Sequence, residues 1–121
     1  MKLLVDEAES AALLTYLQSP TQERRLVASW LLHTELHCAA NRHPDDVDLD
    51  SVRIVLDAVS LIDLTRGDLL TAGTLPGRLR SNDALHLAVA LRVGADEIVT
   101  YDTELVTAAN AAGIAAVAPH L

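Results

Sequence analysis

Apolar residues recur along this chain in two alternating rhythms. Short runs of strand type, Leu26-Val27-Ala28-Ser29-Trp30, Ser60-Leu61-Ile62-Asp63-Leu64, Glu97-Ile98-Val99-Thr100 and Ile114 to Ala118, alternate with longer segments of helical period. The helical segments run from about Leu32 to Asn41, Leu49 to Ala58, Arg66 to Leu75, Asp83 to Val93 and Thr103 to Ala112. In the second of these Val52, Val55, Leu56 and Val59 fall on one face. Breakers stand between segments: the His43-Pro44-Asp45-Asp46 loop, the Pro76-Gly77 turn, and Gly94 and Gly113 after helices. The N-terminal stretch Lys2 to Gln18 also reads as helix, with Leu3, Leu4, Leu13, Leu14 and Leu17 at helical spacing, a break near Asp6–Glu9 and a stop at Ser19-Pro20. Strands alternating with helices predict an α/β fold, a mainly parallel sheet covered on both faces. Such a fold carries its functional loops at the strands' carboxyl ends.

Size and composition narrow the possibilities. The 121 residues suffice for a single domain, residues 1–121, with a real core. Half the residues are hydrophobic, yet no apolar run reaches membrane-spanning length, and the acidic start (Asp6, Glu7, Glu9) is unlike a signal peptide. A lone cysteine, Cys38, excludes an intramolecular disulfide and fits a cytoplasmic location. The net charge of −8 argues against binding nucleic acid by bulk electrostatics. It leaves room for a nuclease whose acids are neutralised by bound cations, or for a protein with a basic partner. Aromatics are limited to Tyr16, Trp30 and Tyr101, too few for a base-stacking platform.

Three acids are read next to strand–helix junctions: Glu35, Asp83 and Asp102. Carboxylates gathered at the carboxyl edge of a parallel sheet make an oxygen-rich site for a hard cation. Each also has an ordinary explanation. Asp83 and Asp102 precede helices and are good capping residues, and Glu35 could face solvent on its helix. His33 and His37, four apart, share a helix face and have zinc-compatible spacing, but no third ligand accompanies them. His86, one turn after Asp83, is either a neighbour of a metal site or a packed histidine. Arg78 and Arg80 either contact phosphate or pair with the acids. There is no Gly-x-Ser-x-Gly elbow and no Gly-rich phosphate loop.

The stretch Arg80-Ser81-Asn82-Asp83-Ala84-Leu85-His86-Leu87-Ala88, the Gly94-Ala95-Asp96 turn, Val99-Thr100-Tyr101-Asp102 and Thr34-Glu35-Leu36 resemble PIN domains, specifically VapC toxins of type II toxin–antitoxin modules. The resemblance covers essentially the whole chain. It implies a PIN-like three-layer sandwich and an endoribonuclease dependent on Mg²⁺ or Mn²⁺. It further implies RNA as substrate, a homodimer, and inhibition by a cognate VapB-like antitoxin. By resemblance, Glu35, Asp83 and Asp102 are the catalytic metal-holding acids, with Thr100 close by to position water or metal.

One departure stands out. Such proteins open on a hydrophobic strand ending in Asp, and here that strand reads as missing, with Asp6 set aside because it falls inside the helical region. A buried strand of that kind is worth on the order of 10 kcal/mol, against ~5–15 kcal/mol for a whole domain. The expectation is an unstable chain, explained by a start codon lying upstream or by decay to an inactive remnant that only dimerises or binds antitoxin.

Overall fold

The computed structural model describes residues 2–4 and 26–118. Five strands form one sheet: β1 (Lys2–Leu4), β2 (Leu26–Ser29), β3 (Ser60–Ile62), β4 (Glu97–Val99) and β5 (Ala115–Val117). Their order is β3-β2-β1-β4-β5 and every pairing is parallel. Five helices are described: α1 (Leu31–Arg42), α2 (Leu49–Asp57), α3 (Arg66–Ala72), α4 (Ser81–Val93) and α5 (Thr103–Ala111).

The strand expected to be absent is present. Lys2–Leu4 is a strand at the centre of the sheet, with Leu3 opposite Val27 on one side and Ile98 on the other. A strand in the middle of a sheet covered on both faces need show no alternation, so a short apolar run there is indistinguishable from part of a helix by period alone. Leu3 and Leu4 fall into register with Leu13, Leu14 and Leu17 by spacing alone, and strand pairing overrides that register. The instability derived from a missing strand therefore does not apply. Asp6 itself, and the helix expected beyond it to Gln18, lie outside the described residues.

Alternation along the strands divides the core in two. Val27 and Ile98 point into one cluster, with Leu87, Val89 and Ala90 of α4 and Leu105 and Ala109 of α5. Ala28 and Val99 point into the other, with Leu32, Leu36 and Ala40 of α1 and Val52 and Val55 of α2. Helices thus cover both faces, giving the three-layer α/β sandwich. Each fully buried Leu or Val contributes about 1.5–3 kcal/mol to holding the layers together.

The chain runs outward from β1 to β3, then crosses back to β4 on the opposite side of β1. This reversal places the switch point of the sheet between β1 and β4, the position where open parallel sheets form a crevice at their carboxyl ends. In the register, Leu4 pairs with Val99 at that edge.

Loops on the route are tied down locally. Thr65 and Asp68 form a reciprocal capping box at the start of α3, with the Asp68 backbone N–H donating to Thr65 Oγ1 (3.1 Å) and the Thr65 N–H to Asp68 Oδ2 (2.9 Å). Arg92 of α4 donates to the buried Asp68 carboxylate (2.8 Å) and to the Asp63 carbonyl (2.8 Å), fastening α3 to α4. Gly94 ends α4 in the left-handed region (φ 69°), which a residue with a Cβ adopts only at a cost.

Candidate active site

Asp83 is not the cap it resembles in sequence. α4 starts two residues earlier, with Arg80 as N-cap, so Asp83 is the third helical residue and no side chain caps that helix. Its carboxyl is half-buried beside the other acids. Burial raises its pKa and the charge of Asp102 raises it further; His86 opposes this, Glu35 adds to it and Arg80 opposes it, and the net shift is upward. The sum describes an acid crowded by acids, the condition that a cation relieves.

Asp102 follows β4 and serves both roles proposed for it. Its Oδ1 accepts from the Leu105 N–H (3.0 Å), capping α5, while its charge is felt at Asp83. Thr100, fully buried, accepts the Asp102 N–H on its Oγ1 (3.1 Å) and sets where that residue leaves the strand. Its hydroxyl thus positions Asp102 through the backbone.

Glu35 is not a surface residue. It lies in the second turn of α1, its side chain only 22% exposed, and turns towards α4. Its Oε1 accepts from His86 Nε2 (2.5 Å) and its Oε2 from the Asn82 amide. Burial pushes the Glu35 pKa up, but the hydrogen bond and charge of His86 and the Asn82 amide outweigh it, so the carboxyl titrates below its ordinary value. His86 is fully buried, and its Nδ1 meets Ser29 Oγ (3.2 Å) at the end of β2; that same oxygen accepts the Leu31 N–H (3.2 Å). A chain of polar contacts therefore runs from β2 through His86 to Glu35. Spacing showed His86 one turn from Asp83; its contact with Glu35 required the packing of α1 against α4. Ser29 and Asn82 gave no separate signal in the sequence.

Electrostatics groups Glu35, Asp83 and Asp102 at the sheet's carboxyl edge, yet no set of three His, Cys, Asp or Glu among the described residues suffices to hold a metal by itself. Glu35 explains part of this, with both carboxylate oxygens engaged by α4. The zinc spacing of His33 and His37 comes to nothing in the same sense: the rings lie tilted against each other with centroids 4.3 Å apart, and His37 Nδ1 donates to the His33 carbonyl (2.7 Å). Of the two arginines before α4, Arg80 lines the groove at Glu35 and Arg78 does not.

That groove, about 560 Å³, opens between α1 and the start of α4. A separate groove of about 400 Å³ lies between α3 and α4, with Leu69, Leu75, Leu79, Ser81 and Leu85 in its lining. Among the described residues no helix is long and apolar enough to cross a membrane.

Comparison with known proteins agrees with this architecture. The PIN domain family profile matches residues 2–111, from the first described strand to the end of α5. Ribonuclease VapC46 of Mycobacterium tuberculosis is 38% identical over 125 residues, spanning 98% of this chain and 91% of the relative. Ribonuclease VapC47 of the same organism is 31% identical over 122 residues, spanning 98% and 90%. Among solved structures, VapBC2 from Rickettsia felis bound to a promoter DNA fragment superposes with a TM-score of 0.67 at 12% identity, over 97% of this chain and 98% of the other. A toxin–antitoxin complex from Klebsiella pneumoniae gives 0.63 at 18% identity, over 99% and 98%. At such identities the structural likeness speaks for the fold. Fold, chain coverage and sequence identity together lead to one conclusion: the chain belongs to the PIN domain family and, within it, to the VapC-like proteins.

Proposed function

We propose that this protein is the toxin of a type II toxin–antitoxin module, an endoribonuclease that hydrolyses RNA phosphodiester bonds with a divalent cation, Mg²⁺ or Mn²⁺. The observation that carries the proposal is the state of Asp83. A half-buried carboxyl, free of any capping duty, its pKa raised first by burial and then by its acidic neighbours, is poorly suited to stabilising a fold and well suited to holding a cation. The donors are carboxylate oxygens, the choice of a hard ion. Asp83 and Asp102 would hold the cation, and Glu35, oriented by His86 and Asn82, would complete the acidic wall.

We propose Asp6, two positions after Leu4 in the sequence, as the family's first acid. The cation supplies Lewis acidity at the scissile phosphate and a more acidic water. The chain's own part is to hold that charge-neutralising centre, orient Glu35 through His86, and fix Asp102 through Thr100.

The partner is a VapB-like antitoxin, in keeping with the toxin–antitoxin assemblies named for the structural neighbours. Two copies of this single domain pair as a homodimer, and the cytoplasm, where RNA and antitoxin meet, is the site of action. The alternative reading, a catalytically incomplete remnant, rested on the missing first acid; β1 supplies the strand before it, while Asp6 lies outside the described residues.

The test is cleavage of total RNA by the purified protein with Mg²⁺, with Mn²⁺, and with chelator. Cleavage is expected in the first two alone. Asp83→Asn is expected to lower it by about 10²-fold or more, the usual scale for loss of preorganised electrostatic stabilisation. RNA hydrolysis that persists in chelator, or that survives Asp83→Asn undiminished, removes the assignment.

A further inference from the structure

The groove beside Glu35 is lined by Thr34, Asn41, Arg42, Arg80 and Asn82, and it runs along α1 away from the acids. Two of its residues are exposed guanidiniums that form no ion pair with any described residue. Arg53 is paired with Asp50 and Arg92 with Asp68, while Arg66 and Arg78 likewise form no ion pair with a described residue but do not line the groove. The feature to be explained is that two exposed arginines, without an ion pair among the described residues, converge on one groove beside the acids.

We propose that this groove binds the RNA backbone next to the scissile bond, with Arg42 and Arg80 each holding a non-bridging phosphate. The proposal rests on the nuclease reading above and adds where the strand lies. Guanidinium forks suit phosphate, presenting paired N–H donors to two oxygens. Arg42 lies seven residues beyond Glu35 on α1, about 10 Å along the helix, so it reaches a neighbouring phosphate and not the one at the acids. Arg80 stands at the mouth, close enough to oppose the charge shift at Asp83. None of the residues lining the groove is aromatic, so it has nothing on which to stack a base. The groove therefore holds backbone, and contributes affinity and register without base preference.

Cys38 supplies a reporter. It is the chain's sole cysteine, it is exposed, and it lines the same groove. The experiment uses Asp83→Asn as parent to keep RNA intact, and compares Arg42→Gln, Arg80→Gln and the double variant. Binding of a fluorescent single-stranded RNA in Mg²⁺ is followed by anisotropy across a salt series, and alkylation of Cys38 is timed with and without that RNA. Each substitution is expected to weaken binding by about 5-fold and to make the log–log salt slope shallower by about 0.7. RNA is expected to slow alkylation in the parent and not in the double variant. Arg42→Gln is the decisive arm, because Arg42 has no part in the charge balance at Asp83.

Unchanged affinity and slope in Arg42→Gln overturn the proposal while leaving the nuclease reading intact. Protection of Cys38 by polyglutamate and not by RNA assigns the groove to an acidic protein segment and likewise overturns it. Failure of the unsubstituted protein to cleave any RNA in Mg²⁺ or Mn²⁺ is a separate result, and it is the one that defeats the nuclease reading.

Discussion

The carboxyl of Asp83 sits where burial and two acidic neighbours disfavour its charge, and that imbalance should show in the stability of the metal-free protein. Because its pKa is raised on folding, the native state holds a proton that the unfolded chain has released, over the window between its ordinary value near 3.8 and the raised one. Stability from this group is full below that window and is lost as pH rises through it. Asp83→Asn is expected to flatten this part of the pH profile in chelator, seen in thermal melts from pH 3.5 to 7. Added Mg²⁺ should stabilise the unsubstituted protein more than the variant. Glu35 has the opposite sign: its lowered pKa makes it stabilising above about pH 4.5, with that contribution lost as pH falls through the folded value. His86→Ala removes the donor to Glu35 and the partner of Ser29 together. It is expected to cost about 1–3 kcal/mol in urea unfolding. His86→Gln, which keeps a donor at comparable reach, is expected to recover part of the cleavage rate lost in His86→Ala. That recovery separates positioning of Glu35 from filling of space. The candidate acids were legible because acidic residues in or just before the first turns of predicted helices are conspicuous in sequence. Their partners were not: Ser29, Asn82 and His86 acquire meaning only where α1 packs against α4.

Helix and strand types followed from periodicity, and the differences at their ends have local causes. α3 stops at Ala72, three residues short of the expected Leu75, and α4 begins at Ser81, two before the expected Asp83. Arg80 takes the N-cap position with extended backbone and no side-chain cap, an arrangement that residue preferences do not single out. Those two residues matter, since they convert Asp83 from a cap into an inward-facing acid. The capping box at α3 obeys the sequence rule, but its Asp68 is also buried against Arg92, twenty-four positions away. The hydrogen bond from Arg92 holds the Asp68 carboxyl below its ordinary range despite burial. Asp68→Ala loses the cap and this charge-assisted bond and leaves Arg92 without its carboxylate. Urea unfolding is expected to show a loss of about 1.5–3 kcal/mol. The active-site acids are untouched, so cleavage at low temperature should persist.

At the scale of the whole molecule, three residues decide the architecture. β1 lies between β2 and β4, and without it the sheet divides into the pairs β3–β2 and β4–β5. Deletion of residues 1–4 is expected to abolish the cooperative thermal transition seen by circular dichroism; a truncated protein that still melts cooperatively contradicts this placement. The sequence by itself determined the α/β class, the two-sided burial of the sheet and the three acids, because side-chain period and acids at helix starts are local properties of the chain. Only the tertiary structure decided that Lys2–Leu4 is the central strand, that Asp83 faces its fellow acids, and that Glu35 is held by His86 and Asn82. Those features depend on which segments pair and which helices meet, contacts made across up to about a hundred residues, and no spacing rule within a single segment encodes them.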